Sequence, residues 1–241
     1  MNAAPLSSAA RTATGKVRAD NEDAVLERPR QGLWAVADGM GGHRGGALAS
    51  RLIVDGLAEL PLAGDLAERL GQVRQCLHRL NRQLGQTPTV TAACPDPVIG
   101  STVVALLIEA RRAACIWAGD SRCYLWRAGR LYQLSRDHSL VQQLIDEQRI
   151  SPEQAAAHPA AHALTRAVGV GAALALEVVE LEVLPGDAFL LCSDGLYQDL
   201  APEALGAALA LPSAALAVQR LFAQALDGPA RDNLSAVVVR P

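Results

Sequence analysis

The chain has 241 residues, 50% of them apolar and 20% charged, with a formal net charge of -3. That length supplies one large core, and so even a charge balance excludes a basic nucleic-acid tail or a polybasic membrane patch. No apolar stretch is long enough to cross a bilayer, and the start MNAAPLSSAARTATGK lacks the charged-then-apolar pattern of a secretory signal, so a reduced, cytoplasmic protein is expected.

In chain order, RTATGKVR, DAVLER and GLWAVA read as short strands within residues 11–37. Helical spacing of apolar residues follows over 47–60 and again over 66–84. Residues 85–97 are rich in Thr and Pro and read as a loop. Strands return at STVVALLIEA, RAACIWAG and CYLWRAG, with a hairpin turn at Ala128-Gly129. A helix is expected from Ser139 to Glu147. Residues 148–171 read as a small helical excursion with a loop, opened by Ser151-Pro152 and broken at His158-Pro159. ALEVVELEV and DAFLLCS are strands joined by a turn at Pro185-Gly186, two helices cover 202–210 and 213–226, and LSAVVVR closes the chain as a strand. Strands in adjacent groups separated by helical pairs argue for antiparallel sheets with helices outside, not for a βαβ alternation. Five cysteines occur without a C-x-x-C, and Cys115, Cys123 and Cys192 fall in apolar runs as small buried hydrophobes.

Chemistry concentrates where apolar strands end. LWAVAD ends in Asp38, AACIWAGD in Asp120 and AFLLCSD in Asp194, while Asp232 precedes the last strand. Near the N-terminus RADNEDAV adds Asp20, Glu22 and Asp23. Taken singly, an Asp-Gly after a strand is a turn. Taken together, carboxylates at several strand ends converge on one rim of the core, where each raises the pKa of the others. Hard divalent cations remove that repulsion, since Mg²⁺ and Mn²⁺ prefer oxygen ligands. The glycine-rich run after Asp38 lets backbone approach such an ion closely.

With these pieces in place the sequence resembles the protein phosphatase 2C family of metal-dependent serine/threonine phosphatases, in its compact bacterial form. The matching segments are GKVRADNEDA, VADGMGGHRGG, GSTVVALL, WAGDSRCYLWRAGRLYQLSRDHSLVQQLI, HALTRAVG, LLCSDGLYQDL and RDNLSAVVV. They occur in the family's order and cover nearly the whole chain. The resemblance implies an α+β fold, a four-layer αββα sandwich of two antiparallel sheets flanked by helix pairs, with a binuclear metal site at one end. It implies a single catalytic domain over 1–241, with a flap at about 148–168.

The resemblance also implies roles. Arg18 matches the arginine that grips the substrate phosphate, Glu22 a ligand of the second metal, and Asp38 the carboxylate bridging both metals. Gly39 offers its carbonyl, Asp194 and Asp232 match ligands of the first metal, and Asp120 matches the carboxylate that helps hold a third, weaker ion. Two to three Mn²⁺ or Mg²⁺ ions follow, with direct attack by a water that two metals share. Met40 stands where many eukaryotic relatives carry a histidine after the Asp-Gly, with His43 three residues on, so a metal-bound water is a candidate proton donor. His78 reads as an outer-face helix residue and His138 as structural, while His158 and His162 in the flap are candidates for substrate contact. Implied partners are phosphorylated proteins, among them a Hanks-type kinase or its forkhead-associated-domain targets, with regulation of a secretion system such as type VI as one setting. No nucleic acid and no membrane are implied. A non-catalytic relative that keeps the fold, and a phosphoesterase acting on a small molecule, are the competing readings; retention of Asp38, Asp194 and Asp232 argues against the first.

Overall fold

The computed structural model of the protein describes residues 6–41, 45–86, 99–147, 149–151, 154, 158–160 and 163–241. Its core is set by strands whose central residues are apolar on both faces. In β3 (Leu33–Met40) Leu33, Ala35 and Ala37 face one apolar cluster while Trp34 and Val36 face another. The same alternation runs through β5 (Val103–Glu109), β10 (Ala188–Cys192) and β11 (Leu234–Arg240). A strand with both faces buried has no polar side to show, which is why these segments lack a hydrophobic-polar alternation.

Two antiparallel sheets result. One runs β2 (Asp23–Arg28), β3, β5, β6 (Arg112–Ala118), β9 (Glu177–Glu182), with the short β4 (Gly100–Ser101) paired to the end of β3. The other runs β1 (Ser7–Ala13), β11, β10, β7 (Arg122–Arg127), β8 (Arg130–Gln133). Trp34, Leu106, Phe189 and Val237 meet between them. Helices α1 (Gly45–Ala58) and α2 (Leu66–Gly85) cover the outer face of the first sheet. On the second lie α4 (Asp194–Asp199), α5 (Pro202–Leu209) and α6 (Ala214–Asp227), and α3 (Leu140–Asp146) follows β8. This is the four-layer αββα sandwich that the resemblance implies. Cys115, Cys123 and Cys192 are fully buried in it.

Three local expectations change. RTATGKVR is not one strand: β1 ends at Ala13, and the chain turns at Gly15, whose φ is +80. A Cβ there would lie 2.2 Å from the Asp232 carbonyl oxygen, so this turn is pressed against the approach to β11. The strand expected to end by Asp38 continues to Met40, because β4 supplies a partner for Gly39 and Met40. Asp194 opens α4, a helix that the sequence pattern does not announce. Residues 87–98, most of the expected loop, lie outside the described residues, as do 148, 152–153, 155–157 and 161–162 within the expected flap. Near the start of the expected flap Ser151 and Gln154 exchange hydrogen bonds, Gln154 N–H to Ser151 Oγ (3.3 Å) and Ser151 N–H to Gln154 Oε1 (2.8 Å), the reciprocal pattern of a helix start.

The hairpin at Ala128-Gly129 forms as read, with both residues at positive φ (51 and 76) between the paired Arg127 and Arg130. That is the geometry of a type I′ turn, which favours Asn-Gly. Ala128 holds a left-handed conformation that costs an L-residue roughly 1–2 kcal/mol and asparagine less. Ala128→Asn is therefore expected to stabilise the chain by about 0.5–1 kcal/mol, read as a higher midpoint in urea with an unchanged slope.

Candidate active site

Asp38 is fixed from both sides by its own backbone. Its N–H donates to Thr102 Oγ1 (3.0 Å), and its carbonyl accepts from Thr102 N (2.8 Å) and Ser101 Oγ (2.9 Å). Across the β2–β3 ladder it stands directly opposite Asp23. Two carboxylates paired across a ladder repel, and Asp23 is additionally buried, with Oδ2 accepting from Ser193 Oγ (2.7 Å) and Oδ1 without a hydrogen-bond partner.

Beyond Asp38 the glycines serve close packing. A Cβ on Gly39 would lie 2.1 Å from the Gly46 carbonyl oxygen and 2.7 Å from that of Glu22. A Cβ on Gly46 would lie 2.7 Å from both Glu22 Oε1 and the Gly39 carbonyl carbon. The end of β3 and the start of α1 therefore touch backbone to backbone, with the Glu22 carboxylate against them. Either side chain would force these parts away from one another.

The remaining carboxylates arrive from the second sheet and from the β6–β7 connection. Asp194 is the first residue of α4, and its Oδ2 accepts from Gln198 Nε2 (2.8 Å). Asp232 accepts from Arg18 Nη2 (2.6 Å), an ion pair in which the Arg18 side chain stays 56% exposed. Asn233 holds the loop that carries Arg18 and Glu22: its Oδ1 accepts from Glu22 N (2.8 Å), and its Nδ2 donates to the carbonyls of Thr14 (2.9 Å) and Asp20 (3.0 Å). Asp120, 8% exposed, follows Gly119, whose φ is +112.

These parts converge. Arg18, Glu22, Asp38, Gly39, Asp120, Asp194 and Asp232 line one cavity of about 680 Å³, joined by Met40, Thr102, Leu164, Arg166, Val170 and Asn233. Each residue that the resemblance makes a metal ligand or a phosphate grip is in it, whereas Asp20 and Asp23 are not. Asn233, Thr102 and Arg166 were not singled out. In the sequence Asn233 is only the residue after Asp232, and nothing local marks its three bonds to a loop more than two hundred residues away. The described histidines are not in the cavity lining. His43 and His162 lie outside the described residues. His158 Nδ1 accepts from Ala160 N (3.1 Å), His78 is half-buried on α2, and His138 is 6% exposed, with Nδ1 on the Gly119 N–H and Nε2 facing Glu177 and Arg166.

The electrostatic result is a set of carboxyl groups held above their ordinary range. Burial first, then the charges of Asp23, Asp194, Asp120 and Asp232, push Asp38 well up. Burial and the charges of Asp194 and Asp137 push Asp120 to about 7, and burial, against a bond from Ser193, takes Asp23 to about 6. Among the described residues, no group of three or more His, Cys, Asp or Glu side chains forms a ready-made metal cage. The donors share a cavity and surround it, each from a different element.

The pH dependence of stability follows. A carboxyl whose folded pKa is raised keeps a proton that the unfolded chain has lost, so its contribution to stability declines as pH rises from about 4 through the folded pKa. Burial lowers the pKa of His138, which works in the opposite direction, one group against three. In excess chelator the chain is thus expected to melt at a lower temperature near pH 8 than near pH 5. Excess Mn²⁺ is expected to narrow or reverse that difference, as scanning calorimetry at the two pH values would read.

Comparison with known proteins identifies the family. A family model described as protein phosphatase 2C matches residues 9–237. Serine/threonine protein phosphatase PstP of Mycobacterium tuberculosis is 39% identical over 234 residues, covering 95% of this chain and 44% of PstP, so the chain spans less than half of that relative's length. Serine/threonine phosphatase stp of Listeria welshimeri is 35% identical over 200 residues, covering 80% of this chain and 78% of that one. Among solved structures, PppA, described as a key regulatory component of T6SS in Pseudomonas aeruginosa, matches with a TM-score of 0.88 and 42% identity over 98% of both chains. The catalytic domain of PstP in complex with 2 manganese ions matches with a TM-score of 0.82 and 38% identity over 97% of both. By sequence and by fold alike, the chain belongs to the protein phosphatase 2C family.

Proposed function

We propose that the chain hydrolyses phosphoserine and phosphothreonine esters on proteins and that it uses divalent cations to do so. The observation that carries this reading is one cavity that gathers five carboxylates, Glu22, Asp38, Asp120, Asp194 and Asp232, beside the arginine Arg18. The donor set fits Mn²⁺ or Mg²⁺: it is all oxygen, and it carries raised pKa values that a cation would relieve. Asp38 would be shared between two ions, with Asp194 and Asp232 on the first and Glu22 and the Gly39 carbonyl on the second. Asp120 would help hold a third. Bound there, the ions offset the carboxylates' charge, attract the phosphate and lower the pKa of water.

The chain's own residues supply the rest. Arg18 has a nitrogen on Asp232 and further N–H donors for the phosphate oxygens, whose charge grows in the transition state. Thr102 and Ser101 lock the backbone of Asp38, and Asn233 locks Glu22, so the acidic side of the cavity is set before substrate arrives. Met40 has no transferable proton, and a water in the cavity is the candidate donor to the leaving oxygen. Leu164, Ala167 and Val170 give the opposite wall an apolar surface for the peptide around the phosphoresidue.

In this reading residues 1–241 form one catalytic domain with a flap at about 148–168. It works in the cytoplasm, which the four described cysteines, standing as buried thiols, support. No helix among the described residues is long and apolar enough to cross a membrane. Its substrates are phosphoproteins of bacterial signalling, such as a Hanks-type kinase or that kinase's forkhead-associated-domain targets. The likeness to PppA supports a type VI secretion system as the setting.

The test is turnover of p-nitrophenyl phosphate and of a phosphothreonine peptide after metal removal. Activity is expected to be lost in excess chelator and restored by Mn²⁺. Arg18→Ala is expected to raise KM for both substrates by about 10–100-fold, the worth of a charge-assisted hydrogen bond, with a small change in the Mn²⁺ requirement. Full turnover in chelator would overturn the metal-dependent reading.

A further inference from the structure

His138 lies outside the cavity and touches two segments that form it. On one side it grips the residue before Asp120 twice. Its N–H donates to the Gly119 carbonyl (3.0 Å), and its Nδ1 accepts from the Gly119 N–H (3.1 Å). Gly119 has little room to shift, since a Cβ on it would lie 2.6 Å from the Thr102 side chain. On the other side the His138 carbonyl accepts from Thr165 N (2.8 Å), and its Nε2 stands 3.1 Å from Glu177 Oε1. Arg166 donates through Nη1 to that same oxygen (2.8 Å). Leu164 and Arg166, either side of Thr165, line the cavity, as does Asp120.

The hydrogen bonds fix the state of the ring. Because Nδ1 accepts, the neutral imidazole carries its proton on Nε2, which faces Glu177 Oε1 and also stands 3.3 Å from Arg166 Nη1, the donor to that same oxygen. Trp117 stacks on the ring (centroids 6.1 Å apart, planes at 18°) and is itself anchored by Nε1–H to the Arg136 carbonyl (2.9 Å). The backbone bonds at 138 are open to any residue. An acceptor at one end of a flat ring and a donor at the other require a neutral histidine.

We propose that His138 is a positioning residue for the phosphatase reaction: its ring fixes Asp120, on the acidic side of the cavity, relative to the Leu164–Arg166 wall on the substrate side. This rests on the function proposed above. The two ends of the ring then have separable duties, Nδ1 toward Asp120 and Nε2 toward the wall. A histidine that only filled space in the core would show no such division.

Two substitutions divide the ring. His138→Asn keeps an acceptor near the Nδ1 position for the Gly119 N–H and loses the donor to Glu177. His138→Gln reaches Glu177 with an amide N–H and loses the acceptor for Gly119. With the full chain, His138→Asn is expected to raise KM for a phosphothreonine peptide about threefold to tenfold, the worth of one hydrogen bond, at an unchanged Mn²⁺ requirement. His138→Gln is expected to raise the Mn²⁺ concentration for half-maximal turnover of p-nitrophenyl phosphate by a similar factor, at an unchanged peptide KM. Amide hydrogen exchange reads the geometry without turnover: the Gly119 N–H should lose protection in His138→Gln and keep it in His138→Asn. Parallel losses in both variants, or no change in either, would overturn the proposal. If the unchanged chain shows no Mn²⁺-dependent turnover, the phosphatase reading fails, and exchange still decides: Gly119 protection retained in His138→Gln overturns the positioning role.

Discussion

The burial of carboxylates against one another is the constraint on which this structure turns. Asp23 and Asp38 face each other across one ladder, and Asp120, Asp194 and Asp232 reach the same region from other elements. Asp23, Asp38 and Asp120 would each be more comfortable in water. The whole set is held together by backbone that has no freedom to part its members: the interior of β3, the first turn of α4, the positive-φ glycine before Asp120 and the approach to β11. Folding energy from three apolar clusters thus maintains a local charge density that the isolated site would not sustain.

The same economy of space explains the polar and glycine residues around the site. Gly39 and Gly46 let β3 and α1 meet with the Glu22 carboxylate between other groups and no side chain intervening. Asn233 satisfies a backbone N–H and two carbonyls of a loop that has no sheet partner of its own. A loop fixed in this way presents Arg18 and Glu22 as rigidly as a strand would. The four-layer sandwich supplies the frame, and these few residues set the distances.

Much of this was legible in the sequence because it repeats. Apolar runs that end in or follow an aspartate mark strands delivering charge to one rim, and Asp38, Asp120, Asp194 and Asp232 do line one cavity. The Ala128-Gly129 hairpin was legible from local turn chemistry. What escaped was non-local. β3 runs on past Asp38 because a two-residue strand some sixty residues away pairs with it, and α4 begins at Asp194 because Gly195 packs against the Asn233 carbonyl, 2.2 Å from where a Cβ would sit. TGKVR has the composition of a strand and is pulled into a turn by contact with Ala230 and Asp232. Asn233 and Thr102 act through bonds to distant backbone, which no spacing rule encodes. His138 was recognisable as structural, but its position between Gly119 and Glu177 was not.

A site built on held repulsion exchanges stability for function. Asp38 states that exchange most sharply, being the carboxylate on which the other charges converge. The direct measurement is thermal unfolding of the unchanged chain and of Asp38→Asn, each in excess chelator and in excess Mn²⁺ at neutral pH. Removing the charge should make Asp38→Asn the more stable chain in chelator. In Mn²⁺ the order should reverse, because only the unchanged chain gains from the ions. If Asp38→Asn melts lower than the unchanged chain in both conditions by the same amount, held repulsion is contradicted, and the Asp38 carboxylate is a structural element instead of a cation ligand kept in place at a cost to stability.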